Sequence, residues 1–306
     1  MFVILGAAGK VGKATATALR RAGRDVRAVV RHDRQRGPLA ELGCETAVAD
    51  LFDAASVARV IGGAHAVQVL CPVPDGHSGH ADPAAAMRDM IDASVAALRA
   101  DAPPRVLALS DYGAEHASGT GITTLFNYLE TRLRSVDSHL TFLRAAEHMH
   151  NWARVLPMAL ANGVLPSFHH PLDKRFPTVA AQDVGLAAAE LLLDTQAPPG
   201  SPRIVSIESS ERVNALDVAR TLSELSGRSV AAREVPHSDW RAALQRAGLS
   251  EAHARLIADL YDAHNAGRID VEAGVSERRF GTTTLAQVFA ALAPQVAATG
   301  ANAALR

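Results

Sequence analysis

The sequence predicts an α/β protein: a doubly wound parallel sheet followed by a smaller α+β part. Three observations predict it. Short, continuously apolar runs alternate with helical patterns through the first half of the 306 residues, as strands buried on both faces and separated by crossover helices must read. A glycine-rich run, Gly6-Ala7-Ala8-Gly9-Lys10-Val11-Gly12, stands between the first apolar run and the first helical pattern. After about Asn151 the alternation gives way to loop signals, His169, His170, Pro171 and Pro177 among them.

Taken in order, Phe2–Leu5 reads as the first strand, Lys10–Ala22 as a helix, Val26–Val30 as the second strand and Glu45–Ala49 as the third. A helix over Ala54–Ile61 leads to a strand at Ala66–Leu70, and the alanine-rich Asp82–Ala100 helix leads to a strand at Arg105–Ser110. Thr123–Ser135 is the next helix and Leu140–Leu143 the sixth strand. Right-handed crossovers turn such a series into a doubly wound sheet. Gln182–Leu193 reads as an amphipathic helix and 197–202 as a Pro/Gly linker. A strand at Arg203–Ile207, a helix at Asn214–Ser226 and a strand at Val230–Glu234 follow, then mostly helix to about Ala293, with a loose tail from Pro294. The expected division is a nucleotide-binding domain over 1–155, to which 176–195 returns, and a smaller substrate-side domain over 156–306. A cleft between them is the natural ligand site.

Composition excludes several classes. A net charge of −1 gives no general attraction for nucleic acid. The basic cluster between Arg20 and Arg36 lacks the interleaved aromatics of a single-strand binder. Two cysteines, Cys44 and Cys71, make neither a disulfide framework nor a zinc finger and suit a reducing compartment. The opening residues read as a strand rather than a signal peptide, and no apolar run approaches the ~20 residues of a membrane span. The expectation is a cytoplasmic protein, monomer or homodimer, with no membrane or nucleic-acid partner.

The glycine run carries the first chemistry. Gly6 permits a sharp turn, Gly9 a close approach of backbone to a diphosphate, and Gly12 tight packing of helix on sheet. The unpaired N–H groups at the helix start, with Ala8, Lys10 and Val11 around them, then face the anion. This is the fingerprint position of a Rossmann-type dinucleotide domain, although its spacing is G-x-x-G-x-x-G. The second strand ends in Arg31, with Arg34 close behind. A guanidinium there forks onto a 2′-phosphate and favours NADP(H) over NAD(H); the other readings are a solvated basic loop, or Asp33 turned to the ribose. Asp50 and Leu51 end the third strand beside the expected adenine, Asp50 serving either the adenine amino group or a helix cap. Cys71, Pro72 and Val73 close the fourth strand near the nicotinamide ribose, with Cys71 read as a small buried hydrophobe. Ser110 ends the fifth strand, toward the nicotinamide or as a cap.

Taken together these residues resemble the NmrA-like atypical short-chain dehydrogenase/reductase family, whose members include quinone reductases, triphenylmethane reductase and non-catalytic redox sensors. The resemblance runs through Gly6–Gly12, Val29–Arg31, Ala49–Leu51, Ala108–Ser110, Thr141–Arg144, Met149–Asn151 and Ala181–Val184, and through Ser238–Trp240, Ala247–Leu249 and Gly281–Leu285 on the substrate side. It implies the fold and NADP(H) binding. The chain departs from the superfamily's Tyr-x-x-x-Lys pair. It has three lysines, Lys10, Lys13 and Lys174. Aligning the family's helix glutamate with Glu130 puts Phe126 where many relatives carry lysine. Tyr112 is followed at the fourth position by His116, and Tyr128 by Arg132, a poor proton relay.

His148-Met149-His150-Asn151 is implied by the resemblance to line the substrate cleft. His148, His150 and Tyr112 are the candidate catalytic groups, and Met149 and Asn151 the candidate substrate contacts. A neutral histidine there polarises a carbonyl or supplies a proton; alternatively one histidine faces solvent and the other packs. No ligand spacing makes a metal site of His148, His150, His169 and His170. Two functions fit: an NADPH-dependent reductase passing hydride to a quinone-like small-molecule acceptor, or a non-catalytic NADP(H) sensor that reports to a protein partner.

Overall fold

The computed structural model of the chain describes residues 1–74, 82–195 and 202–292. The expected linker, apart from Pro202, and the expected tail lie outside the described residues. The first half runs β1 (Phe2–Ile4), α1 (Lys10–Arg21), β2 (Val26–Val30), α2 (Gly37–Ala40), β3 (Glu45–Val48), α3 (Ala54–Ile61), β4 (Ala66–Val69), α4 (Pro83–Ala100), β5 (Arg105–Asp111), α5 (Thr124–Leu133) and β6 (His139–Ala145). Then come β7 (Glu147–His148), α6 (Leu156–Asn162), β8 (Val164–Ser167), β9 (Thr178–Val179), α7 (Ala181–Leu193), β10 (Arg203–Ser209), α8 (Ala215–Ser226), β11 (Ala231–Glu234), α9 (Trp240–Arg246), α10 (Glu251–Asn265) and β12 (Glu277–Gly281).

Eight strands form one sheet in the order β12-β10-β6-β5-β4-β1-β2-β3, and every pairing in it is parallel. Alternate residues of each strand enter opposite cores. Ile4, Ala28, Val30, Leu107 and Leu143 pack with the α1 and α7 side; Val3, Leu5, Val29, Val67 and Phe142 pack with α3, α4 and α5. Both faces of the central strands are covered, so those strands are largely apolar, the property that makes them legible. Side chains set the helix starts: Asp53 Oδ1 accepts from Ala55 N at 2.9 Å and Asp82 Oδ1 from Ala84 N at 2.9 Å.

Two sheet strands, β10 and β12, come from the stretch after residue 156 that the sequence reading assigns to the smaller part. β12 lies inside the segment expected to be mostly helical. Its residues, Glu-Arg-Arg-Phe-Gly, lack the apolar run of a central strand because β12 is an edge, paired on one side only. Beside the sheet, away from the cores on its two faces, Met149, Trp152, Leu156, Phe176, Leu222 and Phe289 form the second core, that of the smaller part, flanked by the short β8–β11 pair. Asp183 in the first turn of α7 accepts from Thr283 N at 2.9 Å and Thr283 Oγ1 at 2.8 Å, which fastens the chain leaving β12 to α7.

Candidate functional site

The sheet order reverses between β1 and β4, and ligands of such sheets bind outside the carboxyl ends of the strands at that switch point. A cleft of about 760 Å³ lies there, within the roughly 300–1,000 Å³ usual for small-molecule sites.

Its floor is the glycine loop: Gly6, Ala8, Gly9, Lys10, Val11 and Gly12 all line it. Gly6 takes φ +66°, a left-handed conformation that side chains disfavour. A Cβ at Gly12 would stand 2.5 Å from Gly6 O and 2.9 Å from Ala7 Cα, so the loop and α1 meet backbone to backbone. Gly9 is the N-cap of α1 and offers no side-chain cap. The first N–H groups of α1 are therefore open to an anion, and the helix dipole favours one. This arrangement fits a dinucleotide diphosphate.

At the β2 end, Arg31 is exposed and lines the cleft together with Gln35. Arg34 is not among the lining residues; the short turn Asp33–Gln35 carries it outward and leaves Gln35 in its place. Asp33 is paired with Arg36 at 3.0 Å rather than turned to the cleft. Asp50 and Leu51 line the site; the Asp50 carboxylate accepts from Phe52 N at 3.0 Å, while the cap of α3 is Asp53. Cys71, Pro72 and Val73 line it as well. Burial pushes the Cys71 thiol up to about 12, so it stays protonated and inert.

The far end is formed where β5 and β6 finish. Ser110, Phe126, His148, His150 and Asn151 line it. Ser110 is committed elsewhere: its Oγ donates to Glu130 Oε1 at 2.6 Å. Glu130 is held by Arg144, with Nε to Oε1 at 2.9 Å and Nη2 to Oε2 at 2.8 Å, and Arg144 also reaches Glu115 and Glu272. Burial and then the charges of His150 and Lys10 push His148 down to about 4 against the opposing pull of Glu147. His150 is lowered by burial and by Lys10. Both imidazoles are neutral near pH 7, which suits them to polarise an acceptor and leaves them no proton beyond the tautomeric N–H to give.

Two expected site residues lie in cores instead. Tyr112 is 1% exposed and packs with Leu143, Ile207 and Ala263. Its N–H bonds Ala145 O at 3.0 Å, its hydroxyl has no partner among the described residues, and burial raises its pKa. Met149 is buried with Trp152 and Phe176 in the second core. In both cases the residue beside it, Asp111 or His148, takes the cleft face. Tyr128 and Arg132 both bond Asp92, the tyrosine at 2.9 Å and the arginine at 2.7 Å. The substrate-side segments 238–249 and 281–285 contribute no residue to the lining; Trp240 is buried against Phe168, Tyr261 and its own backbone acceptor, Val235 O, at 2.8 Å.

The four histidines weighed as ligands do not converge. His148 and His150 face the cleft, His170 packs edge-on to Trp240, and His169 meets Glu147 at 2.9 Å. Glu147, His169 and His264 bring one ligand atom each within 4.8 Å of one another. Among the described residues no helix is long and apolar enough to cross a membrane.

Asp111 is a site residue that sequence reasoning missed, as are Gln35 and Arg154. Asp111 ends β5, pairs in register with Ala145 of β6 and lines the cleft. Its Oδ2 accepts from Thr123 Oγ1 at 3.1 Å.

A family model described as NAD(P)H-binding matches residues 6–195. Quinone oxidoreductase 2 of Escherichia coli (strain K12) is 24% identical over 293 residues, covering 94% of this chain and 96% of that protein. Among solved structures, an NADPH-dependent quinone oxidoreductase from Escherichia coli superposes with a TM-score of 0.76 at 21% identity, over 95% of this chain and 99% of that one. The triphenylmethane reductase of Citrobacter sp. gives 0.78 at 20% identity, again over 95% and 99%.

Proposed function

The chain belongs to the NAD(P)H-binding family, and from that premise we propose that it is an NADPH-dependent reductase that passes hydride directly to a quinone-like or other conjugated acceptor. The observation that carries this reading is a single continuous cleft. It has the uncapped start of α1 in its floor, Arg31 at one end, and Phe126 and neutral His148 at the other. When bound, NADPH supplies the hydride. The α1 amides hold the diphosphate and Arg31 the 2′-phosphate. Phe126 stands where many relatives carry lysine, so no Tyr/Lys relay assists, which suits acceptors that take hydride readily. The quinone and dye reductases of the same fold act on acceptors of that kind.

The direct test is NADPH oxidation by the purified protein across a panel of quinones and cationic dyes. Turnover with at least one class is expected. Tight NADPH binding without turnover of any acceptor would instead favour a redox sensor acting on a protein partner.

The choice of NADP(H) over NAD(H) rests on Arg31, with Asp33 engaged by Arg36. Arg31→Ala is expected to weaken NADPH roughly 10- to 100-fold, the ~1.5–3 kcal/mol of a hydrogen bond to a charged group. NADH affinity is expected to stay within about twofold, because it has no phosphate for the guanidinium to lose. Calorimetry with both dinucleotides checks this, and an equal loss for the two would remove Arg31 from the phosphate.

A further inference from the structure

Reducing a quinone to a neutral hydroquinone takes a hydride and a proton, while reducing a triphenylmethane-type cation takes the hydride alone. The first reaction therefore needs a donor that the Tyr/Lys pair does not provide here. At the ends of β5 and β6 the candidates can be eliminated in turn. Ser110 gives its hydrogen to Glu130. Tyr112 is in the core. Cys71 holds its proton too strongly, and His148 and His150 are both already neutral. Phe126 has no proton to give.

We propose that Asp111 is the proton donor of this site, serving acceptors whose reduction requires a proton as well as a hydride; the proposal rests on the reductase reading above. Its place fits the task. It closes β5, on the side of the sheet switch opposite the adenine end, and its register partner is Ala145 at the end of β6. It lines the cleft alongside Ser110 and His148, and its carboxyl is aimed by Thr123 at 3.1 Å. Lys10 and Arg154 line the same cleft, but the charges that act on Asp111 most are acidic. Glu147, itself tied to His169 at 2.9 Å, and Glu115, tied to Arg144 at 3.2 Å, both disfavour a third carboxylate. Burial adds most, and against the hydrogen bond from Thr123 and the pull of the neighbouring Tyr112 N–H it pushes the Asp111 carboxyl up to about 7. Near neutral pH a large share of the molecules thus carry the acid form, the condition under which general acids work best.

In the step itself, bound NADPH supplies the hydride. The O–H bond of Asp111 breaks, and its proton joins the oxygen of the reduced acceptor. Asp111 is left as a carboxylate, which water entering the open cleft reprotonates. NADPH, one proton and quinone thereby become NADP⁺ and hydroquinone. Because the acid form is the donor, quinone turnover falls as pH rises through about 7. Reduction of a cationic dye has no such inflection.

The experiment compares one quinone and one triphenylmethane cation in the wild type, Asp111→Asn and Thr123→Val. Asp111→Asn is expected to lower quinone kcat about 100-fold and to lower the ratio of quinone to dye turnover at least ~10-fold. Thr123→Val removes a hydrogen bond that favours the carboxylate, so the inflection moves to higher pH. A readout independent of turnover comes from infrared titration of the cofactor-free protein. A protonated carboxyl that titrates near neutral pH is expected in the wild type and missing in Asp111→Asn. Equal losses for quinone and dye, or no carboxyl titrating in that range, would overturn the assignment while leaving the reductase reading intact. A wild type that binds NADPH and reduces neither acceptor would remove both.

Discussion

Gly12→Val is expected to abolish useful dinucleotide binding, with NADPH affinity at least ~100-fold weaker and the fold itself destabilised. The Cβ would stand 2.5 Å from Gly6 O and 2.9 Å from Ala7 Cα. Both neighbours are backbone, so no side chain can rotate away; either α1 retreats from the sheet or the Gly6–Gly9 turn opens. Overpacking of this kind costs roughly 1–3 kcal/mol, occasionally more. The larger effect falls on the ligand. The loop amides must converge on one diphosphate, and losing two hydrogen bonds to a charged group at ~1.5–3 kcal/mol each exceeds the ~2.7 kcal/mol that a hundredfold represents. Gly23→Ala is the control: Gly23 also has positive φ, at +71°, but nothing lies within 4 Å of its missing Cβ. That variant should lose some stability and keep its NADPH affinity. Calorimetry with NADPH, alongside denaturant melts of both variants, checks the pair. Unchanged affinity in Gly12→Val would move the diphosphate away from α1.

The second large effect is expected at Arg144→Met. Arg144 is 3% exposed and Glu130 likewise 3%. The guanidinium holds both Glu130 oxygens, at 2.8 and 2.9 Å, and reaches Glu115 and Glu272 from separate parts of the chain. Removing it strands a buried carboxylate whose remaining partner among the described residues is the Ser110 hydroxyl. Breaking one side of a buried pair costs about 3–5 kcal/mol, whereas replacing both sides with neutral groups is often close to neutral. Arg144→Met should therefore lower unfolding free energy by several kcal/mol, on the order of 3–5. Arg144→Met combined with Glu130→Gln should recover much of the loss. Denaturant unfolding of the two single variants and the double one gives the coupling. A double variant no more stable than Arg144→Met would mean that the arginine acts through Glu115 and Glu272 rather than Glu130.

Much of the nucleotide half was readable from residue order alone. A strand buried on both faces is apolar at nearly every position, so β1 and, Arg27 apart, β2 announce themselves within five residues each. The glycine spacing is equally local, because the turn at Gly6 and the contact between Gly12 and Gly6 lie within seven residues. Arg31 follows the same logic, standing one residue beyond β2 and therefore at the sheet's binding edge. The far end of the cleft was harder to read. The Tyr112 hydroxyl stands out in the sequence, yet after β5 the chain turns that ring into the core and leaves Asp111 at the opening. Met149 and His148 divide in the same way. β12 was hidden because an edge strand with one covered side has no apolar signature to show.

Local residue order was enough for the six strands through β6 and the longer helices between them, the glycine cradle and the cation beyond β2, since each is written in a short stretch of chain. The assembled fold was needed to bind Glu130 to Ser110 and Arg144, to bring the Arg203 strand and β12 into the sheet, and to set Asp111 half-buried near other carboxylates. Those outcomes turn on which distant segments exclude water from a given side chain. Desolvation and charge proximity are properties of the assembled fold, and no local pattern of residue types encodes them.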